Sequence, residues 1–177
     1  RLCWRTLRRR RLPHARVFAG GREAVPCELA CFEGLFVDAR LAAGLIAPWE
    51  RFFLGWDDML FGMLASKAGR CLYIRDFCVR KQFDKERPLV GRLRYHSSLL
   101  GRYFHLRNFC FVIRLVRTRG WGGGLAWARY AYEWAKACAL TVLAERDWRG
   151  VRLLALAWWH GVRGDTESAF GLVVPGE

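Results

Sequence analysis

Three observations predict an α/β chain that begins with short strands and helices and finishes as an amphipathic helical tail. Apolar residues alternate loosely from Val25 to Val37, the spacing of a strand. At Asp57 the period lengthens to that of a helix. Beyond Ser97, apolar residues recur at helical spacing in three further segments, two of them separated by the glycine-rich stretch 120–124. At 177 residues the chain is long enough for one compact domain with an appendage.

The charge is +14 but unevenly placed. Residues 1–26 carry eight arginines against one glutamate, and residues 70–120 carry thirteen basic against three acidic side chains. Between them, residues 27–69 hold six acidic and three basic residues, an acidic island, while 121–177 is balanced. Basic arms imply an anionic partner: nucleic acid, an anionic membrane surface or a phosphorylated substrate. The seven cysteines form no CxxC pair and are odd in number, which argues against a disulfide framework or a zinc module. Reduced cysteines in apolar surroundings fit a cytosolic chain.

Taken in order, residues 1–16 read as a basic helix with Leu2, Leu7 and Leu12 among arginines and Pro13 ending it, either a phosphate-binding arm or a solvated surface helix. Gly20-Gly21 is a turn. The strand-like run from Val25 is interrupted by Phe32-Glu33-Gly34, where a glycine marks a bulge or a close approach of backbone to ligand. Asp38 to Gly44 reads as a short helix stopped by glycine. Phe52 to Trp56 is extended and aromatic; from Asp57, the residues Leu60, Phe61, Leu64, Ala65 and Ala68 keep helical spacing, and Gly69 stands at the C-cap. Cys71 to Ile74 reads as a short buried strand, followed by the charged segment 80–88. Ser97 to Arg119, Leu125 to Ala144 and Val151 to Trp159 are the tail helices, with 120–124 as a hinge.

None of these segments is a transmembrane span. The 125–144 segment has the length, but Arg129, Glu133 and Lys136 interrupt it, and a span needs about 20 mostly apolar residues. Tryptophan- and arginine-rich amphipathic helices suit either the plane of a membrane interface or packing on a core. Histidines 14, 96, 105 and 160 show no metal-ligand spacing, and no P-loop, GxSxG or GxGxxG occurs.

Asp57 and Asp58 open the helix that follows the aromatic run. One aspartate there caps free amides and complements the helix dipole, worth roughly 0.5–2 kcal/mol. A second carboxylate is left without that explanation.

From about Cys31 to Lys85 the chain resembles the second half of the catalytic domain of family 2 glycosyltransferases, inverting enzymes of the GT-A fold that use nucleotide-diphosphate sugars. The likeness is closest to bacterial members that transfer rhamnose or galactofuranose onto surface polysaccharides. It is carried by Phe32-Glu33-Gly34-Leu35-Phe36-Val37, by Phe52-Phe53-Leu54-Gly55-Trp56-Asp57-Asp58 with Phe61-Gly62 and Lys67-Ala68-Gly69, and by Tyr103-Phe104-His105-Leu106-Arg107-Asn108. The resemblance implies that Asp58 is the general base that deprotonates an acceptor hydroxyl. Asp57 would position the acceptor or hold Asp58, Trp56 would give the acceptor sugar a flat apolar face or simply pack in the core, and Glu33-Gly34 would face the donor–acceptor junction.

The family's usual metal-ligating histidine is replaced by Gln82, and the neighbouring Lys81 would meet the leaving diphosphate. The nucleotide-binding half and its Asp-x-Asp motif are not found in this sequence. The resemblance therefore implies a C-terminal portion of a longer enzyme. Residues 1–95 would be the rest of the catalytic domain and 96–177 a helical tail that associates with membrane. The divalent metal (Mg or Mn) would be held mainly elsewhere in the full-length protein. The implied partners are a nucleotide-diphosphate sugar and a lipid-linked saccharide on the cytoplasmic face of the inner membrane. The alternatives are a small basic nucleic-acid-binding module and a non-catalytic packing domain whose aspartates only cap a helix.

Overall fold

The computed structural model describes residues 2–9, 12–29, 35–46, 52, 55–76, 98–165 and 167. They belong to two compact units that interleave along the chain. The first falls within 1–3, 8–50 and 57–86, the second within 4–7, 51–56 and 87–177. The expected division between 95 and 96 lies outside the described residues.

In the first unit, β1 (Leu2–Cys3) pairs antiparallel with β2 (Arg8–Arg9), with Leu2 opposite Arg9. The basic helix expected over 1–16 is not formed. Its leucines recur every five residues, which turns each about 140° from the last on a helix and builds no apolar face. Pro13 starts a helix instead of ending one: it is the N-cap of α1 (His14–Val17), where its fixed φ of −57° fits.

The strand expected from Val25 is shorter than its alternation suggested. β3 (Ala24–Pro26) pairs antiparallel with β4 (Leu72–Ile74), and Val25 lies opposite Tyr73. Cys27 N–H donating to Cys71 O at 2.9 Å and Arg75 N–H to Glu23 O at 2.8 Å extend the ribbon at both ends. β4 was expected to be buried, yet Leu72, Tyr73 and Ile74 are all exposed. An apolar run alone does not bury a strand; it needs a second layer, and this ribbon has two strands.

α2 (Ala39–Ile46) begins at Asp38, whose Oδ1 accepts from the Arg40 and Leu41 amides at 2.8 and 3.3 Å. It runs through Gly44, where the sequence suggested a stop. α3 (Asp57–Ala68) starts and ends where the sequence placed it, and α2 packs on it. Met59 to Ala65 are buried without a break, about two turns, so α3 is covered on all sides.

The second unit is three long helices. α4 (Leu99–Thr118) is capped by the Ser98 hydroxyl, which accepts from Gly101 N–H at 3.1 Å. α5 (Ala126–Leu143) follows, and α6 (Trp148–Arg163) begins at Asp147, whose Oδ1 accepts from Gly150 N–H, and ends at Gly164 with φ 80°. α4 packs most extensively on α6. The two approach so closely at Gly161 that a Cβ there would lie 2.8 Å from the Cβ of Cys110. The expected hinge at 120–124 is an anchored turn. Gly123 N–H donates to Trp4 O at 2.7 Å and Leu125 N–H to Arg5 O at 2.9 Å. Gly122, at φ 133°, leaves no room for a side chain beside the Trp4 carbonyl.

The chain is thus mixed α and β, with helix dominant and both sheets of the described residues antiparallel and two-stranded. Among the described residues no helix is long and apolar enough to cross a membrane.

Candidate functional site

Asp57 and Asp58 are the first two residues of α3, and Trp56 stands at the N-cap position with φ 71°. The left-handed backbone at Gly55 and Trp56 turns the chain sharply into the helix. The capping expected of the pair takes an unusual form. Asp58 Oδ1 accepts from the next amide, Met59 N–H, at 2.6 Å, so it meets one orphan donor from inside the first turn. The Asp57 carboxylate makes no hydrogen bond among the described residues. Both carboxylates are half-buried and oppose the positive end of the helix dipole.

Asp58 also lines a cavity of about 590 Å³ in the first unit. Its walls come from several elements of that unit: Arg9 of β2, Cys27 beside β3, Leu35 to Asp38 before α2, Asp58, Met59 and Phe61 of α3, and Arg70 to Tyr73 at β4. Leu35, Phe36, Phe61 and Ala65 supply apolar surface, Asp38 and Asp58 supply carboxylates, and Arg9 and Arg70 supply guanidinium groups. Burial, and then each other's proximity, push the Cys27 thiol up; burial alone raises Cys71. Neither is a ready nucleophile. The cavity therefore offers an acceptor of protons, two cations and an apolar wall, a set suited to a polar ligand with an anionic group.

In the second unit Trp56 is 3 % exposed, and its ring stacks on Phe109 with centroids 4.4 Å apart and planes at 19°. His105 lies 5.5 Å away and the Arg129 guanidinium 5.9 Å above the ring. Two roles were expected of Trp56, a face for the acceptor sugar or packing in the core; the ring is covered by the aromatic side of α4. Its indole N–H has no hydrogen-bond partner among the described residues.

The Tyr103, Arg107 and Asn108 element forms a buried polar network. Asn108 Nδ2 donates to Gly55 O at 2.9 Å, Arg107 Nε donates to Asn108 Oδ1 at 3.0 Å, and Tyr103 and His160 share a hydrogen bond of 2.6 Å. Burial raises the Tyr103 phenol and works against the charge on Arg107. Asn108 thus holds the turn that leads into the aspartates. The sequence singled out these three residues but not the bond to Gly55, because nothing local joins positions 53 residues apart.

Of the predicted site residues, the structure puts Asp58 on a cavity wall, Asp57 beside it in the same helical turn and Trp56 in the interior. Glu33, Gly34 and Lys81, with Gln82, lie outside the described residues. Arg9, Arg70 and Asp38 were missed. Their only signal was charge, which they share with many other residues. Among the described residues no group of three or more His, Cys, Asp or Glu side chains could hold a metal ion, so the expected Mg or Mn finds no fitting ligand set in them. No protein-family model, curated protein or solved structure matches the chain.

Proposed function

We propose that the chain is the acceptor-side portion of an inverting glycosyltransferase with the GT-A architecture, and that Asp58 is its general base. The observation that carries this reading is the position of Asp58: one oxygen is fixed by the Met59 amide, and the residue lines an apolar, arginine-flanked cavity. A pure helix cap leaves that cavity unexplained. So does a nucleic-acid module, which would not set carboxylates among its cations.

In the proposed step an acceptor hydroxyl in the cavity gives its proton to Asp58. Its oxygen then forms the bond to the anomeric carbon of the donor sugar. The bond from that carbon to the nucleotide diphosphate breaks, its electron pair leaves with the diphosphate, and the configuration inverts. Base assistance of this kind is worth about 10²–10⁴-fold. Arg9 and Arg70 lie on the same cavity and would offset the phosphate charge. The donor is a nucleotide-diphosphate sugar of the rhamnose or galactofuranose type, and the acceptor is a lipid-linked saccharide on the cytoplasmic face of a bacterial inner membrane. No step is assigned to a metal, because the described residues do not assemble ligands for one.

The test is transfer of labelled sugar from nucleotide-diphosphate rhamnose or galactofuranose to membrane lipid by the full-length protein. The expected result is label in the lipid fraction with stoichiometric nucleoside diphosphate. Label confined to donor and free sugar would overturn the reading.

A further inference from the structure

α6 has two faces. Gly150, Leu154, Ala157 and Gly161 recur every three or four residues and are buried in the second unit. Opposite them, Trp148, Arg152, Leu156, Trp159 and Arg163 recur at the same helical spacing and are exposed. A helix that needs only one apolar face for packing has a second one in solvent, at a tryptophan 72 % exposed (Trp148) and another 43 % exposed (Trp159). The Arg163 guanidinium sits 3.8 Å over the Trp159 ring. From Trp148 to Arg163 the helix carries arginines 149, 152 and 163 and no acidic residue.

Beside this face lies an apolar groove of about 460 Å³ between α5 and α6, lined by Tyr130, Ala131, Trp134, Ala155 and Trp158. The Tyr130 hydroxyl is buried, and Trp134 Nε1–H donates to Leu154 O at 3.0 Å, so these two offer the groove ring carbon.

We infer that the outer face of α6 docks on an anionic bilayer surface, with an acyl chain taking the α5–α6 groove. Tryptophans at the level of the head groups and arginines reaching phosphate are the chemistry of an interfacial helix. A second copy of the chain is disfavoured, because like faces would set arginine against arginine with no acid on the helix between them. Nucleic acid would satisfy the arginines and stack on the tryptophans, but it leaves an apolar groove beside them unfilled. The inference stands on α5 and α6 alone and does not depend on the glycosyl-transfer reading.

Co-sedimentation of the full chain with vesicles tests it, using phosphatidylcholine alone and phosphatidylcholine mixed with phosphatidylglycerol, with a single-stranded oligonucleotide in a parallel titration. The expected result is salt-sensitive binding to the anionic vesicles only. Arg152→Ala should weaken it about fivefold, the worth of one basic residue near such a surface. Trp148→Ala with Trp159→Ala should weaken it further, with the helical circular dichroism unchanged because these positions are exposed. Brominated acyl chains should quench tryptophan fluorescence, and Ala155→Arg, placed in the groove, should reduce that quenching. No binding to anionic vesicles would overturn the inference. So would equal binding by wild type and both surface variants, or oligonucleotide binding that these variants abolish while vesicle binding is absent.

Discussion

The two units solve the same problem with different means. The second buries long helical stripes: Leu154, Ala157, Phe109, Cys110 and Ile113 are fully buried, and its polar side chains Arg107 and Asn108 are enclosed with their partners. The first is built from α1 to α3 and two short ribbons, keeps β4 in solvent and leaves a cavity open to Asp58. A unit that gives up packing around a charged, half-buried carboxylate loses stability there and gains a place for a ligand. That contrast teaches where to look for chemistry. It also makes the second unit the one in which single substitutions should hurt most.

Core truncation should divide them most sharply. Leu154→Ala, at a position with 0 % exposure, should lower stability by about 2–5 kcal/mol in urea unfolding. Leu72→Ala, at a position 54 % exposed in β4, should change it by about 0.5 kcal/mol or less. Comparable losses would show that the ribbon is as tightly packed as the bundle. Glycines give the next contrast. Gly161→Ala forces a methyl onto Cys110 and the Arg107 carbonyl and should cost about 1–3 kcal/mol, read as a lower Tm. Gly44→Ala meets nothing within 4 Å inside α2 and should be neutral or stabilising by about 0.5–1 kcal/mol. Asn108→Ala removes the bond to Gly55 and should cost about 1–3 kcal/mol, with faster amide exchange at the Gly55–Trp56 turn as the sharper readout.

A further contrast is confined to alkali. Burial pushes the Cys110 thiol from 9.0 up to about 11 and raises Tyr130 as well. The folded chain keeps a proton that the unfolded chain gives up, so this contribution is whole below pH 9 and fades as pH rises toward 11. Cys110→Ala should flatten that limb, and an unchanged slope would show that the thiol is not the titrating group.

What was legible in the sequence follows the same division. The α3, α4 and α5 segments were readable within a residue or two, because their periodicity and the Gly69 stop are local. Helix α6 was shorter in the sequence reading, since Trp148, Arg149 and Arg163 do not continue an obvious apolar stripe. Residues 1–16 misled because arginine favours helices while the leucine spacing does not, and tertiary contact decided between them. β4 misled because its hydrophobicity says nothing of a covering layer. The aspartate pair was visible, and the cavity that Asp58 lines was not: Arg9, Asp38, Asp58 and Arg70 come together only through the fold.

The proposed role of the carboxylate on the cavity wall is to remove the acceptor's proton. It is tested most directly by Asp58→Asn in the full-length protein, with Asp57→Asn beside it, measuring sugar transfer and donor affinity. Asp58→Asn should lower kcat about 10²–10⁴-fold with donor Kd unchanged, and Asp57→Asn should lose less. Full turnover by Asp58→Asn would contradict it.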